Sequence, residues 1–248
     1  MYKLKKLLDL ELKRKNTLQN LSQTPDPLQI ARNFTNPQIC LICALFSYGN
    51  ATQIVKFLKS LNFDLLNLSE NLIKKEIIRQ NLLYRFQNPQ DIAEIFVLFK
   101  RALNLDFEEI ISKNMQNGII HGINALICEL YKLNNYRSQG YEFFLGKAFK
   151  KEPKSPYKRY NMWLRWMVRD QDIDLGLFKK ISPSNLIIPL DTHTHKVSLK
   201  IGLCTRKTYD FKAALEITEN LRKFDKFDPI KYDFAIYRIG QSKQVIKI

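Results

Sequence analysis

The chain has 248 residues, with 40 Lys and Arg against 24 Asp and Glu, a formal charge of +16, and 45% apolar residues. That apolar content over this length can build a real core and excludes wholesale disorder. No run of 18 apolar residues exists, which argues against a helical membrane span.

The periodicity is helical nearly everywhere. Leu4, Leu7, Leu8 and Leu12 mark an amphipathic first helix, ended by Ser22-Gln23-Thr24-Pro25-Asp26-Pro27. Met1 to Lys15 mixes Leu with charged residues and lacks the apolar core of a signal peptide, so the expected location is the cytoplasm, with the four Cys reduced. A second helical region starts near Gln38 and breaks at Ser47-Tyr48-Gly49-Asn50, where Asn50 is placed to cap a helix over Ala51–Leu61. Cys40 and Cys43 lie in an apolar helical pattern and read as core thiols rather than metal ligands. Ser69 precedes a segment with Leu72, Ile73, Ile77 and Leu83 on its apolar positions, and Asp91–Leu103 and Gly118–Leu133 are further helical patterns. Lys151 to Pro156 holds two prolines and no other apolar residue, so it reads as a loop. Helices are then predicted at about Pro156–Arg169, Thr192–Ile201, Phe211–Lys223 and Pro229–Ile239. Leu186-Ile187-Ile188 alone reads as extended and is too short to found a sheet. The predicted class is all-α.

The charge surplus favours a polyanionic partner through counterion release and steering; the alternative is a solvated basic surface. Clustering sharpens the point. Between Lys147 and Arg169, eight cations stand against Glu152 alone, interleaved with Phe149, Tyr157, Tyr160, Trp163 and Trp166. Aromatics among cations suit base stacking and phosphate binding, although Trp163 and Trp166 also fit a core. Nucleic acid is the expected partner.

Two residues could carry chemistry. Ser155-Pro156 reads as an N-cap followed by proline at the first helical position, which puts Lys158 in the first turn. The helix dipole and neighbouring cations there favour a neutral amine, the form that nucleophilic or Schiff-base chemistry requires. The other reading of Lys158 is an exposed phosphate contact. Leu186 to Leu190 then delivers Asp191 to the N-cap of the Thr192–Ile201 helix. That is ordinary capping chemistry, but a carboxylate fixed at the end of a buried segment can also activate a nucleophile or stabilise a developing cation. Asp191, His193 and His195 alternate by two and point to different sides at a helix start, so no metal and no cofactor are expected.

Pro189-Leu190-Asp191-Thr192-His193-Thr194-His195-Lys196-Val197 resembles the Val-Asp-Thr-His-x-x-Arg-Val signature of the helix-hairpin-helix DNA glycosylases. In that superfamily the Asp is catalytic, and bifunctional members carry a lysine that matches Lys158. The two stand thirty-three residues apart. This is longer than in the endonuclease III and eukaryotic 8-oxoguanine branches and similar to the archaeal 8-oxoguanine glycosylases. Ser155 to Arg169, Asp174-Leu175-Gly176 and Ile187 to His193 also closely resemble a bacterial family known only as a domain of unknown function, through most of the chain and ending in Asp228 to Phe234. The glycosylase likeness is specific over about Ser155 to Leu203, with a looser echo at Phe46-Ser47-Tyr48-Gly49-Asn50. Two departures stand out: Lys151 to Pro156 has no glycine where the superfamily has a glycine-rich hairpin, and the iron–sulfur Cys cluster of one branch is missing.

The resemblance implies two packed helical lobes with a central cleft, lobe A about 36–135 and lobe B about 1–35 plus 136–248, forming one unit over 1–248. It implies a monomer acting on double-stranded DNA with a damaged base, 8-oxoguanine first, flipped into a pocket. Lys158 would attack C1′ while Asp191 assists. Met162, one turn after Lys158, would pack on the base or belong to the core, and Asp228, Tyr232 and Asp233 would line the pocket. Asn50, Lys154, Arg159, His193 and Lys196 are the expected DNA contacts. A non-catalytic nucleic-acid binder and a metal-dependent hydrolase are the other readings.

Overall fold

A computed structural model describes residues 2–171 and 173–242; Met1, Asp172 and residues 243–248, which the expected 1–248 unit includes, lie outside the described residues. The chain is all-α, as its periodicity predicts, and no β-strand occurs among the described residues. In chain order the α-helices are α1 Tyr2–Lys15, α2 Leu18–Gln23, α3 Leu28–Ala31, α4 Pro37–Leu45, α5 Ala51–Ser60, α6 Glu70–Gln80 and α7 Pro89–Arg101. They continue with α8 Phe107–Lys113, α9 Ile119–Leu133, α10 Gln139–Leu145, α11 Lys158–Val168, α12 Thr192–Lys200, α13 Phe211–Arg222 and α14 Asp233–Ser242. Two compact units divide the chain, one made of Met1–Pro25 with Lys151–Ile248 and the other of Asp26–Lys150.

The contiguous unit is organised by helices that are buried on all sides. In α7 every residue from Asp91 to Phe99 is buried. Pro89 takes a first-turn position, where a missing N–H is harmless, and Asn88 and Asp91 cap each other's backbone at 2.9 and 3.0 Å. Asp91 also accepts from the Tyr136 hydroxyl at 2.9 Å, so the cap is part of the core. Helix α4 is buried from Cys40 to Leu45. Burial pushes the Cys40 thiol up to about 12 and the Cys43 thiol well above its ordinary value, which fits the core role expected of both. Helix α6 packs along α7, and α8 along α9.

The discontinuous unit is built around α11, in which every residue from Tyr160 to Val168 is buried. The following segment folds back on it: Leu175 N–H donates to Trp166 C=O at 2.8 Å and Phe178 N–H to Met167 C=O at 2.7 Å. Leu186 to Leu190 is extended and buried, held where Ile188 N–H meets the Thr218 hydroxyl at 3.1 Å. Helix α14 packs on α1 and on α12. Gly240 eases the second contact, since a Cβ there would lie 3.2 Å from His193 Cβ and from Val197 Cγ2. Tyr232, just before α14, donates to Asp9 of α1 at 2.7 Å.

Candidate active site

Helix α11 begins later than its sequence suggests. Ser155 and Pro156 do not form its start; instead Tyr157 precedes Lys158 in a left-handed conformation, φ 46° and ψ 41°. The physical reason is a side-chain clamp from inside the helix. Asn161 Nδ2 donates to Pro156 C=O at 2.9 Å, and the Ser155 hydroxyl accepts from Tyr157 N–H at 3.3 Å, so the chain turns sharply before the first helical residue. No side chain caps this end. Lys158 is therefore the first residue of the helix, half-buried, and its amine makes no hydrogen bond or ion pair among the described residues.

Asp191 is the N-cap of α12, as predicted. Its Oδ1 accepts from Thr194 N–H at 2.7 Å and its backbone C=O from His195 N–H at 2.9 Å. The Tyr209 hydroxyl donates to Leu190 C=O at 2.7 Å and so fixes the residue before it. Burial, and then the nearby Asp191 carboxylate, push the Tyr209 phenol up to about 12.

A third charged group ties these two together. Asp233, the buried first residue of α14, accepts from Arg165 Nη1 at 2.6 Å. Burial raises this carboxyl to about 6 against the pull of Arg165; Asp191 raises it further and Lys158 lowers it. Lys158, Asp191 and Asp233 belong to the same compact unit, at the first positions of α11, α12 and α14 or just before them. Two buried polar atoms near the pair in sequence have no hydrogen-bond partner. They are Asn161 Oδ1, one turn after Lys158, and Thr194 Oγ1, in the turn that Asp191 caps. Such an atom costs about 1–3 kcal/mol until something bonds to it, and a bound molecule could.

The other expected site residues are placed as follows. Met162 is buried one turn after Lys158. Asp228 accepts from Arg169 Nε at 2.9 and 3.0 Å, and Tyr232 is committed to Asp9. Lys154, His193 and Lys196 are exposed and Arg159 is half-buried. Asn50 belongs to the other unit, where it caps α5 through Thr52 N–H at 2.9 Å, as its sequence context predicts. His195 is buried and its Nε2 meets Arg206 C=O at 2.9 Å. Among the described residues no group of three or more His, Cys, Asp or Glu side chains is placed to hold a metal ion.

The expected stacking surface over Lys147–Arg169 needs correction. Trp163 and Trp166 are core residues, the favoured reading of both, but Tyr160 is core as well, and Arg165 and Arg169 are buried. Arg165 Nε donates to Asp174 at 3.2 Å, Arg169 bonds the second oxygen of Asp174, and Arg169 reaches Asp228. These two arginines bond three carboxyl groups instead of meeting phosphate. Sequence reasoning missed the Arg165–Asp233 link; its one local signal is a pair of arginines four residues apart on the tryptophan-bearing helix. Basic residues concentrate in this unit all the same: it carries 26 Lys and Arg, Arg165 and Arg169 included, against 13 Asp and Glu.

A protein-family model described as "Protein of unknown function (DUF2400)" matches residues 26–242, and the chain belongs to that family. No curated protein and no solved structure matches the chain.

Proposed function

We propose that the chain is a DNA-repair enzyme, a bifunctional DNA glycosylase and AP lyase that removes a damaged base, 8-oxoguanine first, through a Schiff base on Lys158. The observation that carries this reading is the half-buried Lys158 amine at the first residue of α11, without a hydrogen bond or ion pair among the described residues, in the same compact unit as Asp191 at the N-cap of α12. The amine nitrogen attacks C1′ as the bond from C1′ to the base breaks and its electron pair leaves with the base. The base takes up a proton, the new ammonium gives one to Asp191, and the carboxylate offsets positive charge growing on the sugar. Ring opening gives the imine. Loss of a C2′ proton then expels the 3′ phosphate by β-elimination. Met162, with Asn161 Oδ1 beside it in sequence, would meet the extruded base, and Lys154, Arg159, His193 and Lys196 would hold phosphates. The substrate is duplex DNA, and the working species is a monomer.

Borohydride trapping on duplexes carrying 8-oxoguanine tests the reading. A covalent protein–DNA adduct is expected with the natural chain and none with Lys158→Gln, whose affinity for the same duplex stays within about twofold. Binding without trapping across a panel of lesions would replace this reading with that of a non-catalytic nucleic-acid binder.

A further inference from the structure

The cation–aromatic surface expected at 147–169 is built elsewhere, in the contiguous unit. Residues 84–87 form a tight reversal, with Tyr84 N–H donating to Gln87 C=O at 3.0 Å and Gln87 N–H to Tyr84 C=O at 2.9 Å. At its tip Arg85 has φ 52°, a left-handed conformation that arginine rarely adopts, and Phe86 is 51% exposed. The Arg85 guanidinium carbon lies 5.6 Å from the centre of the Phe86 ring and 5.9 Å from that of Tyr48. Those two rings are within 13° of parallel, and Phe143, 40% exposed, closes the group with centroids 4.8 Å from Tyr48 and 4.7 Å from Phe86. Gly49, at φ 106°, leaves the guanidinium its space, since a Cβ there would come within 2.6 Å of Arg85 Nη1.

This surface is held from beneath. Tyr84 donates its hydroxyl to Tyr48 C=O at 2.8 Å, and the Tyr48 hydroxyl bonds the side chain of buried Gln87. Gln87 Nε2 in turn donates to Gly140 C=O at 2.7 Å, at the start of the helix that carries Phe143. Tyr48 is anchored before anything binds, and strained backbone keeps a cation over exposed apolar faces; such strain gathers at functional surfaces.

We propose that Tyr48, Arg85, Phe86 and Phe143 form a stacking platform for an unpaired base of a nucleic acid. The charge of the supporting segments selects this occupant over an acidic or apolar peptide. Residues 46–63, 77–90 and 139–145, which carry the platform, hold Lys56, Lys59, Arg79 and Arg85 against Glu142 alone; Arg79 is paired with Glu76, which leaves Lys56, Lys59 and Arg85 to meet an anion. Aromatic faces supply sequence-tolerant stacking, Arg adds a cation over the π-system, and neighbouring cations attract the phosphates on either side. The proposal stands apart from the Lys158 chemistry, because a protein that only binds nucleic acid would use the platform in the same way.

The test is anisotropy of fluorescein-labelled oligothymidylate with the full chain, beside a fully paired duplex of equal length. Phe86→Ala combined with Phe143→Ala should weaken oligothymidylate binding about tenfold or more and paired-duplex binding by less than about threefold. Unchanged affinity, or an equal loss on both probes, overturns the proposal; a surface serving a protein partner would give the first of these. As a second readout, Phe86→Trp places an exposed indole on the platform of a protein whose own Trp163 and Trp166 are buried. Its emission should be quenched by saturating oligothymidylate, and an unquenched signal rejects base stacking even if the double variant does not fold.

Discussion

Arg165 Nη1 donates to Asp233 Oδ2 across 2.6 Å, joining the third turn of α11 to the first residue of α14, 68 positions away in sequence, with both side chains buried. The same arginine holds Asp174. Removing one member of a buried ionic group leaves the others uncompensated, at about 3–5 kcal/mol. Arg165→Ala should lose that much stability in urea unfolding, and Arg165→Lys, which keeps the charge without the fork, should lose less. A loss below about 1 kcal/mol for Arg165→Ala would mean that the network does not hold the unit together.

The raised carboxyl of Asp233 gives a pH signature. Its ordinary value is 3.8 and its value in the fold is about 6, so the native chain holds this proton more tightly than the unfolded one. The contribution is fully present below pH 3.8 and is lost as pH rises through about 6, on the order of 3 kcal/mol in total. The stability of the natural chain relative to Asp233→Asn should therefore fall between pH 4 and pH 6 and level off above. Urea midpoints for the two proteins across that range measure it, and a pH-independent difference would show that Asp233 does not titrate there.

Asp191 caps a helix and, in the proposed reaction, handles a proton; two substitutions separate these roles. Asn is as good an N-cap as Asp, so Asp191→Asn should leave thermal stability within about 0.5 kcal/mol of the natural chain while cutting Schiff-base trapping at least a hundredfold. Asp191→Ala should cost about 1 kcal/mol as well. Equal trapping by Asp191→Asn and the natural chain would leave the carboxylate with its capping role alone.

Thiol reactivity should single out one cysteine. Cys40, Cys43 and Cys204 are buried with raised thiols, the last pushed up to about 11 chiefly by burial. Cys128 is half-buried on the wall of a groove of about 490 Å³ between α8 and α9 that also includes Asp106, Glu109, Lys113 and Glu129. In the native protein a thiol-specific disulfide reagent should titrate one group rapidly, and Cys128→Ser should remove that phase. The other three should react at the rate of opening; two or more rapid groups would mean that the α4 core opens locally.

The helices were legible because burial demands the 3.6-residue repeat, and Asn50 and Asp191 announce their helices with a short polar side chain before the first turn. Helices α8 and α10, seven residues each, escaped because fewer than two full turns hardly establish a repeat. The start of α11 misled for a different reason: the left-handed Tyr157 is imposed by Asn161 reaching back to Pro156, a contact no residue type signals. Of the candidate site, the chemistry of Lys158 and Asp191 could be read from local context. The burial of Arg165 and Arg169 could not, because an arginine reads as surface until its distant carboxylates are known. Trp163 makes the same point from the apolar side. It is fully buried edge-on to Phe178 at 5.4 Å, and Trp163→Ala should cost about 3–5 kcal/mol of stability in urea unfolding.

The Tyr232–Asp9 bond spans 223 positions, linking α1 to a residue made near the far end of the chain. During synthesis α1 waits, the apolar face that packs on α14 uncovered, until α14 has been translated. That interval is when the nascent polypeptide is most open to chaperones and proteases, and it is fixed by topology rather than by the strength of any one contact.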